Sequence, residues 1–180
     1  MARLTFGVVP KMKFAEAKEH LYQDGSLRDV YVLAATDREL GAFLDYVRPM
    51  IGDCDFQLDG EPSPLPETYR EAMMRGREAA ATLSIPVGDA VVNCHFFDDS
   101  ELELDFRPND YHTEESWDTL SSFLQGLADA MQREVIVTAE NTQELVHIRY
   151  EPEQKTAQQD APSNGGQRSR LNSGYHPRRG

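Results

Sequence analysis

An α+β fold, with a mixed but mainly antiparallel sheet and its helices on one face, follows from three observations in the sequence. The run Glu101-Leu102-Glu103-Leu104-Asp105-Phe106-Arg107 alternates acid and apolar residues, so it reads as a strand with one greasy and one charged side. Two turns of different length, Gly88-Asp89 and Asp98-Asp99-Ser100, then place apolar against apolar across three consecutive strands. Two longer stretches, Leu40-Phe43-Leu44-Val47 and Trp117-Leu120-Leu124-Leu127-Met131, repeat at helical spacing.

Residues 1–25 form an N-terminal extension, with a strand over Leu4–Val9, a short helix over Phe14–Tyr22 and a turn at Asp24-Gly25-Ser26. The continuous run Val30–Ala35 predicts a strand buried on both faces. It leads into Thr36-Asp37-Arg38-Glu39, a capping box in which the threonine hydroxyl and the Glu39 carboxylate each take a free helix N–H. Pro49 ends that helix and Cys54–Leu58 gives a further strand. Pro66 opens the next helix, whose apolar side is Tyr69, Ala72, Met73, Gly76 and Ala80.

Leu83, Ile85 and Val87 then alternate with Thr82, Ser84 and Pro86; because Pro86 has no N–H, this strand belongs at a sheet edge or with Pro86 facing outward. The turns pair Leu83 with Cys94 and Ile85 with Val92, then Phe96 with Leu102, Cys94 with Leu104 and Val92 with Phe106. Thr113-Glu114-Glu115 starts the strongest helix, its acids lying where the helix dipole favours them. A last hairpin, Glu134–Thr138 and Glu144–Tyr150, turns at Glu140-Asn141-Thr142. The order is β-α-β and then α-β-β-β-α-β-β, in one domain over residues 1–152. Residues 153–180, rich in Gln, Ser, Gly and Arg, lack the apolar surface to offset ordering and read as a disordered basic tail.

Charge is divided unevenly. Residues 1–152 hold 13 Lys/Arg against 29 Asp/Glu, a charge of −16, while 153–180 hold five against two, giving the formal −13. An acidic body repels phosphates, which disfavours nucleic acid on the folded domain and favours a basic protein partner. No apolar run reaches the ~18 residues of a membrane span, and Met1–Lys13 lacks the pattern of an export signal. A cytoplasmic protein without a membrane contact is the expectation, with Cys54 and Cys94 as buried thiols; the sequence sets no oligomeric state.

Motifs for chemistry are scarce. There is no Gly-x-Ser-x-Gly elbow, phosphate-cradling glycine loop or His-Glu-x-x-His pair, so no catalytic residue, cofactor or metal ligand set is assigned. Cys94 and His95 are consecutive strand residues on opposite faces and cannot form a thiolate–imidazolium pair. The register places His95 opposite Glu103, Asn93 opposite Asp105, and Thr82 beside His95. This polar face could bind a partner or a cation, or do acid–base chemistry, but its plainer reading is a solvated surface with a cross-strand His–Glu pair. Asp98 and Asp99 read as turn formers rather than a calcium loop, and Asp53, Asp55, Asp59 and Glu61 as the wet side of a strand. His147 points outward alone, and His20, His112 and His176 have no assigned partner. Trp117 could anchor an interface, but its stripe position favours the core; Arg168, Arg170, Arg178 and Arg179, with Tyr175, could contact nucleic acid or an acidic partner or fold back on the acidic body, an unengaged tail being the leading reading.

From Pro66 to Tyr150 the order of elements is similar to that of bacterial type III secretion chaperones, which are also small and acidic. The likeness is of topology and involves no motif, and those chaperones end in an amphipathic helix where this chain has its polar tail. The acidic sheet face and the missing catalytic motifs predict a non-catalytic protein acting by protein–protein contact, of chaperone, immunity or adaptor type. Its binding face would be Glu101, Glu103, Asp105, His95 and Asn93. The alternative is a metal-dependent hydrolase or cation-binding domain using His95, Glu103 and Asp105.

Overall fold

The computed structural model describes residues 12–21, 25–53 and 55–153. The expected strand at Leu4–Val9, Cys54 and the tail beyond Glu153 lie outside them. The elements are α1 (Phe14–Ala17), β1 (Arg28–Val32), α2 (Asp37–Val47), β2 (Phe56–Leu58), β3 (Glu61–Pro62), α3 (Tyr69–Gly76), β4 (Ala81–Val87), β5 (Ala90–His95), β6 (Leu102–Phe106), α4 (Glu114–Met131), β7 (Val135–Ala139) and β8 (Thr142–Tyr150). Single 3₁₀ turns at Arg48–Met50 and Pro108–Tyr111 follow α2 and precede α4.

All eight strands join one sheet in the order β3-β2-β4-β5-β6-β1-β7-β8. Every pairing among them is antiparallel, so the expected mixed sheet has no parallel part. Both turn lengths deliver the register read from the sequence: Leu83↔Cys94 and Ile85↔Val92, then Cys94↔Leu104 and Val92↔Phe106. Gly88 adopts φ +67°, as the first position of a II′ turn requires. β5 stops at His95, however, so Phe96 and Leu102 are not a ladder pair. β4 lies inside the sheet, between β2 and β5, rather than at an edge. Pro86 is tolerated because β2 pairs only with Ala81–Leu83, leaving Pro86 past the end of that ladder and exposed.

The inner face carries Val30, Val32, Phe56, Leu83, Ile85, Val92, Cys94, Leu102, Leu104 and Phe106, all at most 1% exposed. Helices α2, α3 and α4 cover it. The capping box forms as read: Thr36 N–H donates to Glu39 Oε2 at 2.7 Å and Glu39 N–H to Thr36 Oγ1 at 3.4 Å. Leu40, Phe43, Leu44 and Val47 are buried, as are Trp117, Leu120, Leu124, Leu127 and Met131. Trp117 is core, its indole N–H donating to the Met12 carbonyl at 2.9 Å, so it anchors the N-terminal segment and no exposed interface. Gly126 lets α4 approach α2: a Cβ there would stand 2.4 Å from Tyr46 Oη, which donates to the Phe123 carbonyl.

Two helix assignments shift. α3 is capped by Thr68, whose hydroxyl accepts from Glu71 N–H, so Pro66 precedes the cap instead of opening the helix. Ala80 falls beyond α3 and is exposed, outside the apolar side of Tyr69, Ala72 and Met73. The helix expected over Phe14–Tyr22 is a single turn, though Ala17 and Leu21 do bury themselves.

Candidate functional site

The outer face of the sheet is built as two rows across the strands. One runs Thr82, His95, Glu103, Tyr31, Ile136, Arg149 and the next runs Ser84, Asn93, Asp105, Asp29, Thr138, Val146. The pairings His95↔Glu103, Asn93↔Asp105 and Thr82↔His95 stand as the turn lengths require. The hydrogen bonds run differently. His95 Nε2 meets Asp105 Oδ2 at 2.6 Å, the diagonal neighbour, rather than the carboxylate opposite. Asp105 Oδ1 accepts from Asn93 Nδ2 at 3.0 Å, and Asn93 Oδ1 accepts from Ser84 Oγ at 3.1 Å. A chain of polar contacts therefore crosses β4, β5 and β6.

This face is wetter in sequence than in space. Glu101, Glu103 and Asp105 are half-buried, and beside them Asp29 and Tyr31 are only 5% and 4% exposed. β8 explains part of this. Against β7 its register jumps twice, so that His147 and then Gln143-Glu144-Leu145 are extra residues with no partner opposite. From that excursion Gln143 Nε2 donates to Glu101 Oε1 at 3.0 Å, reaching back across the outer face. Asp29 Oδ2 accepts from Tyr31 Oη at 3.1 Å and from Asn141 N–H of the β7–β8 turn at 2.7 Å.

The electrostatics follow from this crowding. Burial, and then the charges of Asp105 and Glu140, push the Asp29 carboxyl up despite its two hydrogen bonds. Burial and the Asp29 charge do the same to Glu103. The hydrogen bond to Asp105 raises His95 above the ordinary histidine value, against burial. Burial acts to raise Asp105, but the hydrogen bonds from His95 and Asn93 outweigh it and hold its carboxyl low. Cys94 lies on the opposite face, fully buried with its thiol pushed well up, so it takes no part.

The chemistry available here is binding and proton exchange. Among the described residues no group of three or more His, Cys, Asp or Glu side chains is placed to hold a metal ion. His95 has a carboxylate on one nitrogen. Next to it Phe97 is 71% exposed, its ring lying parallel to the imidazole at 5.3 Å and 4°. Asp98 is a turn former, as read: its Oδ1 accepts from the backbone and hydroxyl of Ser100, both at 2.7 Å.

Three readings of other polar residues change. His147 is not alone, since as a bulge residue it lies 5.6 Å ring to ring from His20, and burial with the Arg28 charge lowers its pKa. His112 Nδ1 contacts the Asn109 carbonyl at 2.7 Å. Of the acids around β2, Asp55 and Asp59 fasten backbone, to Gly52 N–H and Ala80 N–H. Asp29, Tyr31, Phe97 and Gln143 are the site residues that sequence reading passed over. The alternation Arg28-Asp29-Val30-Tyr31-Val32 was the available signal for the first two. No family model, curated protein or solved structure matches the chain. Among the described residues no helix is long and apolar enough to cross a membrane.

Proposed function

We propose that this is a non-catalytic cytoplasmic protein that binds a basic protein partner through the outer sheet face, in the manner of a chaperone, immunity protein or adaptor. The observation that carries the reading is Phe97. A large aromatic ring stands in solvent, stacked on His95, at the rim of a face whose carboxylates include Glu101, Glu103 and Asp105. Exposed aromatics of this kind supply binding energy at interfaces, while surrounding charge sets encounter rate and partner choice. Asp98 and Asp99 adjoin it in sequence and are exposed, adding to the attraction for Lys and Arg. In this reading the half-buried Glu101, Glu103 and Asp105 form the floor of the surface and the exposed Phe97 stands at its rim.

The test is a native pull-down with the full chain as bait, read by mass spectrometry at low and moderate salt, alongside Phe97→Ala and Glu101→Lys baits. A basic protein held by the wild type, released by salt and lost from both variants is the expected result. Retention of the same partner by both folded variants would remove the outer face from the interaction.

A further inference from the structure

The outer face places two carboxylates directly across a ladder from each other, Asp29 of β1 and Asp105 of β6. Like charges in that position repel, and Asp29 is 5% exposed, which leaves little water to screen it. The groups that face Asp29 deepen the problem. Tyr31 and Asn141 each donate one hydrogen bond to Oδ2, but Glu140 of the β7–β8 turn and Glu103 of β6 bring further negative charge. Glu101 lies near Glu103. Cationic groups that act on Asp105 are His95 of β5, bonded to it, and Arg107 just past the end of β6. Arg28 precedes Asp29 in the chain but is on the inner row, where its guanidinium donates to His20 O, Ser26 Oγ and Leu27 O.

We propose that Asp29, Glu103 and His95 form a proton-binding cluster, which in mild acid holds more protons in the folded chain than the same groups hold when unfolded. Acidification then tightens the contact among β1, β5 and β6 by relieving the Asp29–Asp105 repulsion and charging the His95–Asp105 pair. The direction follows from linkage. Groups held high in the folded state contribute stability that is fully present below their unfolded values and lost as pH rises through their folded values. Asp105, held low, opposes this as pH falls below the ordinary aspartate value toward its own depressed one. The window is therefore mild acid, bounded above by His95 and below by Asp105.

The experiment is urea unfolding of the full chain from about pH 3.5 to about pH 8, with Asp29→Asn, Glu103→Gln and, as a control on the exposed face of α4, Glu115→Gln. General self-repulsion of an acidic chain also weakens with acid, so the variants decide the question rather than the wild-type slope alone. Asp29→Asn and Glu103→Gln should each raise the midpoint at the alkaline end and flatten its rise on acidification, whereas Glu115→Gln leaves the slope parallel to wild type. Independently of any variant, ¹³C spectra of the wild type should show the Asp29 carboxyl titrating above the ordinary ~3.9. Parallel slopes in all three variants, or an ordinary titration of Asp29, would overturn the proposal.

Discussion

Leu104→Ala is the sharpest test of the two-faced sheet. Leu104 is fully buried at the centre of β6, with Val30 on one side and Cys94 on the other in register. Truncation removes three carbons, a transfer loss of roughly 2.4 kcal/mol at about 0.8 kcal/mol per methylene. β6 is hydrogen-bonded to strands on both sides, so the backbone cannot close over the gap, and the cavity brings the cost to about 4 kcal/mol. That is a large part of the roughly 5–15 kcal/mol that holds a domain together. In urea, with a slope near 2 kcal/mol per molar, the midpoint should fall by about 2 M. Leu145→Ala, at a side chain 53% exposed, is the matched control and should change stability by less than about 0.5 kcal/mol. A loss below about 1.5 kcal/mol at Leu104 would mean that β6 does not sit clamped between β5 and β1.

Other consequences can be checked in the same assay. Thr36→Ala removes the hydroxyl that accepts from Glu39 N–H and should cost about 1 kcal/mol. Gly88→Ala forces a side chain onto φ +67° and places its Cβ 3.2 Å from Thr119 Cγ2, so a loss of about 1–2 kcal/mol is expected; an unchanged midpoint would contradict the turn. Asp105→Asn removes the carboxylate charge against His95 Nε2, and the imidazole titration followed by proton NMR should drop toward the ordinary value near 6.5. Because the wild-type histidine is held high, its stabilising pair is present in mild acid and lost as pH rises past its titration, so the stability gap to Asp105→Asn should narrow toward alkaline pH.

Much of the meander was legible because turn chemistry and pleat parity are local. Gly88-Asp89 and Asp98-Asp99-Ser100 have lengths that admit only one parity of pairing with apolar residues facing one way, and β4, β5 and β6 adopt it. The capping box at Thr36 and the stripe from Trp117 to Met131 are likewise short-range patterns with a single physical solution. What escaped was set by distant partners. Nothing near Val30 in the sequence says that β1 inserts between β6 and β7, yet that insertion buries Asp29 beside Asp105. The excursion at Gln143-Glu144-Leu145 was equally invisible, since its alternation alone fits an uninterrupted strand. The face read as open carboxylates is for those two reasons a half-buried polar network. Phe97 directly precedes the Asp98-Asp99-Ser100 turn, but β5 ends two residues earlier and leaves the ring in solvent.

The broken register of β8 also bears on how this chain behaves when crowded with copies of itself. Among the described residues the sheet has two rims: β3, two residues long and ending in Pro62, and β8, nine residues long. A straight rim of nine residues would offer a template onto which another chain could zip, the route by which sheets grow into aggregates. His147 and the detour at 143–145 twist that template out of phase, and the opposite rim is too short and proline-blunted to serve. An eight-stranded sheet is thereby left with no flat border to extend.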